Sequence, residues 1–313
     1  MPAIVTITFN PALDKSTAIQ ELVPNRKLKC SIPVCEAGGG GINVARAIKK
    51  LGGEVVAVYL AGGNAGNEIA RSLAAEGVES IITTIKGATR ENLIVLDSST
   101  NNQYLLDMPG PQVDTAEWQN CLNSIESLIG VEYIVASGSL PAGVPPDVFQ
   151  KIVAIARKKN ARLIVDTAGE GLKQAVKAGV YLIKPNLKEL GVLAGREINE
   201  QTAAAAAREL LQNGGCEAIL VSMGPQGAIL VTREQSLKIK PPAITVLSTV
   251  GAGDSLVAGI VLSLAKNKSL VEAVQYGVAC GSAATMNSGT ALCRKEDADH
   301  LFSILQKQEA VGS

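Results

Sequence analysis

Short apolar runs rich in Val, Ile and Leu alternate along this chain with longer stretches in which apolar residues recur every three or four positions. "EYIVAS" (132–137), "RLIVD" (162–166), "VYLIK" (180–184), "AILVS" (218–222) and "AILVT" (228–232) read as buried strands. Residues 146–159, 169–179, 186–195 and 202–213 read as helices between them. Nearer the N-terminus "IVTITF" and "VVAVYLA" repeat the strand pattern, and "INVARAIKKL" and "NEIARSLAAEG" the helical one. Ile42, Ala45, Ile48 and Leu51 share one helical face. Strands that are apolar on both sides predict a parallel sheet covered by helices on both faces.

Two segments break the alternation. Residues 14–36 mix polar and apolar residues without helical period. Residues 91–108 read as two strands, "ENLIVLD" and "QYLLDM", around the turn "SSTNN". Both are expected to be antiparallel pieces outside the main sheet, forming a lid inserted into a single domain over residues 1–313. No linker rich in Pro or Ser separates them from the rest.

Composition narrows the partners. The 313 residues are 47% hydrophobic and only 3% aromatic, so the core is built from aliphatic side chains. Lys plus Arg and Asp plus Glu are both 29, which leaves no basic excess for nucleic acid. No apolar run approaches the roughly 18 residues of a membrane span, and the N-terminus lacks the pattern of a targeting segment. Six scattered cysteines (Cys30, Cys35, Cys121, Cys216, Cys280 and Cys293), with no C-x-x-C pair, suggest reduced thiols and a cytoplasmic setting. The one histidine, His300 in "DADHLF", reads as a surface helix position, which argues against a His-based triad or a multi-His metal site.

The residues with chemical potential fall just after predicted strands, where open α/β sheets bind ligands. They are 137–139, Asp166, 184–186, 222–227 and the turn 251–254. In "EAGGGGINVARAIKKLGG" glycines 38–41 run straight into a helix. This suits a backbone that approaches a ligand closely, or a flexible surface turn. Asn43 and Arg46 lie near the helix start. "SGSLPAGVP" reads as a loop after a strand. In "KPNLKEL", Asn186 and Glu189 share a face, fit either for Mg²⁺ or for a capping box. "VSMGPQGA" reads as a hairpin turn, which a nucleotide-facing role would not exclude. "STVGAGDS" lacks the Lys-Ser/Thr of a Walker loop. Its Asp254 either caps a helix or does chemistry there.

Taken in order, "GGGGINVARAIKKLGG", "GSLPAGV", "KPNLKEL", "VSMGPQGA" and "STVGAGDS" resemble the pfkB/ribokinase family of sugar kinases, and the resemblance covers essentially the whole chain. "TFNPALDKS", "GSAATMNSGTALC" and Lys27 extend it toward the members that act on sugar phosphates. The resemblance implies a Rossmann-like, ribokinase-like α/β domain with a small β lid that also joins two copies into a homodimer. It implies ATP-dependent phosphorylation of fructose 6-phosphate with Mg²⁺. Fructose 1-phosphate or tagatose 6-phosphate are the alternative substrates, and a catalytically silent sugar-phosphate sensor is the alternative class. Carried over residue by residue, Asp14, Gly38, Gly39, Asn43, Arg90 and Ser139 would hold the sugar phosphate. Lys27, Lys184, Asn186, Ser222, Gly224, Gly227, Val278 and Ser282 would line the nucleotide site. Glu189 would act on Mg²⁺ through water. Gly251, Ala252 and Gly253 would supply amides to the transferred phosphoryl group, and Asp254 would be the base. A monovalent cation is implied near "NSGTALC", although Ala291 stands where arginine is expected; Val23 stands where an aromatic is expected in the lid.

Overall fold

Along the strand at Val56–Ala61, Ala57, Tyr59 and Ala61 face one core while Val56, Val58 and Leu60 face another, and all are buried. A strand covered on both sides needs no polar alternation, which is why this one reads as a continuous apolar run. The structure is a computed structural model that describes residues 3–287 and 289–312.

The first part of the chain forms β1 (Ile4–Thr8), β2 (Ala12–Ile19), β3 (Val34–Gly38), α1 (Gly40–Lys50), β4 (Val56–Ala61), α2 (Gly63–Ala75) and β5 (Glu79–Thr84). Then come β6 (Arg90–Asp97), β7 (Asn102–Leu106), α3 (Thr115–Ser127), β8 (Tyr133–Ser137), α4 (Val148–Lys158), β9 (Arg162–Asp166), α5 (Gly169–Ala178) and β10 (Val180–Ile183). The last part holds α6 (Leu187–Ala194), α7 (Glu200–Gln212), β11 (Cys216–Ser222), β12 (Ala228–Thr232), β13 (Ser236–Ile239), α8 (Ala252–Ala265), α9 (Leu270–Thr285) and α10 (Lys295–Gly312).

The main sheet runs β13-β12-β11-β10-β9-β8-β1-β4-β5. It is parallel from β5 to β11, and β12 and β13 turn back antiparallel at one edge. Helices α1, α2, α8, α9 and α10 pack on one face and α3 to α7 on the other. From β1 the chain first builds outward through β4 and β5, then returns to add β8 to β11 on the other side. That reversal opens a crevice at the carboxyl ends of β1 and β8, the place where doubly wound sheets bind ligands.

The glycine run sits in this crevice, and two causes explain it. A Cβ on Gly41 would lie 2.5 Å from the Ile7 carbonyl oxygen and 2.5 Å from Thr8 Oγ1, so only glycine lets the start of α1 press against the end of β1. A Cβ on Gly38 would meet the Asp14 carboxylate at 2.1 Å. Close packing as well as ligand access therefore calls for this run.

The second sheet, β3-β2-β6-β7, forms from the two expected lid segments, within residues 12–38 and 90–106. Its outer pairs, β2 with β3 and β6 with β7, are antiparallel as expected. The central pair is a correction: β2 and β6 run parallel, from Ala12↔Arg90 to Ile19↔Asp97. No hairpin joins them, because α1, β4, α2 and β5 intervene and both strands leave the main sheet in the same direction. Among the described residues no helix is long and apolar enough to cross a membrane, and all six cysteines are free thiols.

Candidate active site

Helix α8 starts from Gly251, whose φ of 73° lies in the left-handed region that glycine enters freely. This turn aims the first amides of α8 outward. The Gly253 and Asp254 N–H groups have no partner among the hydrogen bonds of the described residues. Free amides at the positive end of a helix make an anion site. Ser248 fixes the approach to the turn, its hydroxyl donating to the Gly289 carbonyl at 2.7 Å.

Asp254 lies in that first turn and is partly covered. Asn43, one turn into α1, donates Nδ2–H to Asp254 Oδ2 at 2.9 Å. Burial, followed by the negative charge of Asp166, pushes the Asp254 carboxyl up to about 7, against the opposing effects of Asn43 and Lys184. A carboxylate so poised is a competent proton acceptor near neutral pH.

Lys184 follows β10 and is 7% exposed. Its ammonium sits 3.1 Å from Asp166 Oδ1, and a Cβ on Gly253 would stand 3.5 Å from it. Burial works against the ammonium's charge, but Asp166, Asp254 and Glu189 outweigh it and Lys184 holds its proton more tightly than usual. Burial also raises the Asp166 carboxyl despite the lysine. The result is a fixed positive charge beside the anion loop.

Asn186 and Glu189 form the capping box of α6. Asn186 N–H donates to Glu189 Oε2 and Glu189 N–H to Asn186 Oδ1, both at 2.9 Å. The cap uses one carboxylate oxygen, and Oε1 takes part in no described hydrogen bond. No group of three His, Cys, Asp or Glu among the described residues is close enough to hold an ion unaided. That donor set fits Mg²⁺ held chiefly by water and substrate phosphates, with a single protein carboxylate beside it.

A cavity of about 400 Å³ opens at the crevice, lined by Asn10, Arg90, Asp107, Ser139 and their neighbours. The Arg90 side chain is 9% exposed and pairs with Asp107. It donates to the Met108 carbonyl at 3.0 Å and to the Asn10 carbonyl at 3.2 Å. Asn10 donates Nδ2–H to Ser139 Oγ at 2.9 Å. Arg90 Nε and Asn10 Oδ1 are both buried without a partner, one a donor and one an acceptor. Buried polar atoms are seldom left so, which points to a polar ligand in the cavity. Asp14 accepts from Asn92 Nδ2 at 2.9 Å, and burial raises its carboxyl more than Asn92 and Arg90 lower it. It lies against Gly38, next to Gly39.

Ser222 ends β11, where its N–H donates to the Pro185 carbonyl at 2.9 Å, beside Asn186. Gly224 and Gly227 bound the short turn to β12, as the hairpin reading expects. Val278 and Ser282 lie on α9, 3% and 8% exposed. A Cβ on Gly281 would come 3.1 Å from the Ala252 carbonyl, so this part of α9 packs on the start of α8. Lys27 is not brought to the others. It is exposed between β2 and β3 and joins none of the site's described hydrogen bonds or ion pairs.

Sequence reasoning left Asn10, Asn92 and Asp107 without a role, and noted Asp166 only for its place after a strand. Asn10 follows β1 and carries the same positional signal as Ser139 after β8. Asn92 meets Asp14 only through the parallel pairing of β2 and β6, whereas Asp107 reaches Arg90 across the antiparallel pair β6 and β7. Arg46, noted beside Asn43, is structural: buried, it donates to both Glu76 oxygens, to the Ala37 carbonyl and to Glu36.

The chain resembles known proteins over nearly its whole length. The pfkB family carbohydrate kinase pattern matches residues 5–297. The ATP-dependent 6-phosphofructokinase isozyme 2 of Escherichia coli is 41% identical over 309 residues, covering 98% of this chain and 100% of the relative. The crystal structure of phosphofructokinase-2 from Escherichia coli in complex with potassium has a TM-score of 0.93 at 41% identity, over 98% of this chain and 100% of that one. A 1-phosphofructokinase of Xanthomonas campestris is 34% identical, over 94% of this chain and 92% of its own length.

Proposed function

This chain belongs to the pfkB family of carbohydrate kinases, and from that premise we propose that it is an ATP-dependent 6-phosphofructokinase, a cytoplasmic glycolytic enzyme. It converts fructose 6-phosphate and ATP to fructose 1,6-bisphosphate and ADP. The observation that carries this reading is Asp254, held by Asn43 and raised to about 7, at the mouth of an amide-lined helix start.

Asp254 takes the proton of the sugar's C1 hydroxyl as that oxygen attacks the γ-phosphorus. The bond to the ADP oxygen breaks, and the departing charge stays on ADP. Phosphoryl transfer needs positioning and charge neutralisation more than covalent help. The free amides of Gly253 and Asp254 face the transferred group, with the Lys184 ammonium beside them, whereas the Ala252 N–H is turned back to the Thr249 carbonyl at 3.4 Å. One such donor is typically worth ~10²–10³ in rate. Asp14, Gly38, Gly39, Asn43, Arg90 and Ser139 hold the sugar phosphate, and Asn10 joins them. Asn186, Ser222, Gly224, Gly227, Val278 and Ser282 line the nucleotide side, which Lys27 joins when the lid closes. Glu189 would hold Mg²⁺ through water, and the ion would supply further charge neutralisation on the phosphates. A monovalent cation would sit by the loop that Ser248 ties down at Gly289, where Ala291 offers no charge against it.

Initial rates with Mg-ATP on fructose 6-phosphate, fructose 1-phosphate and tagatose 6-phosphate test the assignment. The highest kcat/KM is expected on fructose 6-phosphate. Preference for fructose 1-phosphate would make the chain a 1-phosphofructokinase, and no turnover on any would favour a sensor.

The lid also serves as the contact with a second copy. Its Ile32, Val34 and Leu105 side chains are 91%, 60% and 55% exposed, more apolar surface than a small sheet leaves to water without a partner. Leu105→Asp is expected to lower the sedimenting mass from two chains to one. A wild-type mass of one chain removes this interface.

A further inference from the structure

A second, larger cavity of about 770 Å³ opens at the amino ends of β8, β9, β10 and β11, the end of the sheet opposite the active site. Arg157, Arg162 and Arg233 line it together with Tyr181, Glu132 and Glu217. Arg157, in the last turn of α4, donates Nη2–H to the Ala178 carbonyl at 2.9 Å, which fixes it against the end of α5. Arg162 opens β9 and lays its guanidinium 4.7 Å from the centre of the Tyr181 ring. Arg233 follows β12 at the rim.

None of these arginines has a carboxylate within ion-pair distance among the described residues. Each guanidinium has five N–H donors; one hydrogen bond of Arg157 to a carbonyl, and one of Arg162 to the Tyr133 hydroxyl at 3.5 Å beside its ring contact, leave most of them free. Stacking on Tyr181 orients the Arg162 fork before any ligand arrives. The volume lies within the range of small-molecule sites.

The cavity connects to the active site through two elements. β9 carries Arg162 at the cavity and Asp166 at the active site, roughly 13 Å apart at 3.3 Å per residue. Tyr133, in the cavity wall, donates its hydroxyl to the Leu264 carbonyl at 3.2 Å. Leu264 is in the last turn of α8, whose first turn holds Asp254.

We propose that this cavity is an effector site for a small multivalent oxyanion, a phosphate ester or a polycarboxylate, gripped by Arg162 and Arg233 and coupled to the active site through β9 and α8. It is separate from both substrate sites and is tested apart from them.

Titration calorimetry at low salt would compare the wild-type protein with the Arg162→Ala/Arg233→Ala variant, using pyrophosphate and citrate as separate probes. Pyrophosphate also suits the nucleotide site, so the decisive quantity is the binding step lost between the two proteins. Loss of the charge-assisted contacts should weaken that step by about tenfold or more. Pyrophosphate alone showing the loss assigns the ligand to phosphate esters, and citrate alone assigns it to polycarboxylates. The active probe is expected to shift kcat/KM of the wild type beyond the shift of the variant, in which only competition at the nucleotide site remains. Arg233→Glu, at an exposed turn, repeats the test if the double variant does not fold. Identical isotherms for wild type and variants overturn the site, and binding without any kinetic change overturns its coupling.

Discussion

Asp254→Asn should lower kcat by roughly 10²–10⁴ while leaving KM for the sugar phosphate nearly unchanged, because only the transition state uses the carboxylate as a base. Asparagine keeps the size and one oxygen, so the contact with Asn43 Nδ2 can survive. What is lost is the group that accepts the C1 proton. Steady-state rates with Mg-ATP read the effect directly, and near-normal turnover would remove Asp254 from the mechanism.

The same carboxylate sets a pH signature. With Asp254 raised to about 7, kcat/KM of the free enzyme should climb as pH rises through that value and level off above it. Stability should move the other way. A carboxyl that holds its proton more tightly folded than unfolded stabilises the fold below its ordinary value of 3.8, and that contribution is lost as pH rises through about 7. Asparagine does not titrate. Thermal melts should therefore show Asp254→Asn gaining on the wild type between those pH values. A gap that does not change with pH would mean the carboxyl is not raised in the folded protein.

Much of this site could be read in the chain because β-strand ends and helix starts carry local signals. Ser139, Asp166, Lys184 and Ser222 follow or close short β-branched runs, and the sheet topology then gathers them at one edge. Asn186 and Glu189 satisfy both of their readings at once: they cap α6 with one carboxylate oxygen and leave the other free. What stayed hidden depends on pairing between distant segments. Nothing local in β2 or β6 says that they run parallel, and that pairing puts Asn92 beside Asp14. α9 was not read as a helix at all. It is buried on nearly every side from Ala273 to Ala284, so it shows no polar stripe to reveal its period. The Lys27 assignment came from the family resemblance, and a position on an exposed loop does not by itself bring a side chain to the site.

Arg90→Ala should raise KM for fructose 6-phosphate by about 10²-fold, the loss expected when a largely buried, charge-assisted partner of a phosphate is removed. kcat at saturating sugar should fall much less, since Arg90 holds the phosphate that does not react. Arg90 starts β6 and reaches back to the Asn10 carbonyl at the end of β1 and out to the Met108 carbonyl beyond β7. Its side chain thus joins the lid to the main sheet at the mouth of the cavity, and a melting curve is needed to separate lost binding from lost structure. Arg90→Lys provides the sharper comparison. Lysine keeps the charge, but its single Nζ cannot replace the arginine's donors to two carbonyls and also the Nε–H, so it should recover only part of the affinity. Asp107 now occupies the guanidinium from the solvent side, and the incoming phosphate must displace or share that contact. Asp107→Asn should then lower KM in the wild-type background and have no such effect beside Arg90→Ala. An unchanged KM in Arg90→Ala would place the substrate's phosphate elsewhere and leave the unpartnered Nε without a ligand.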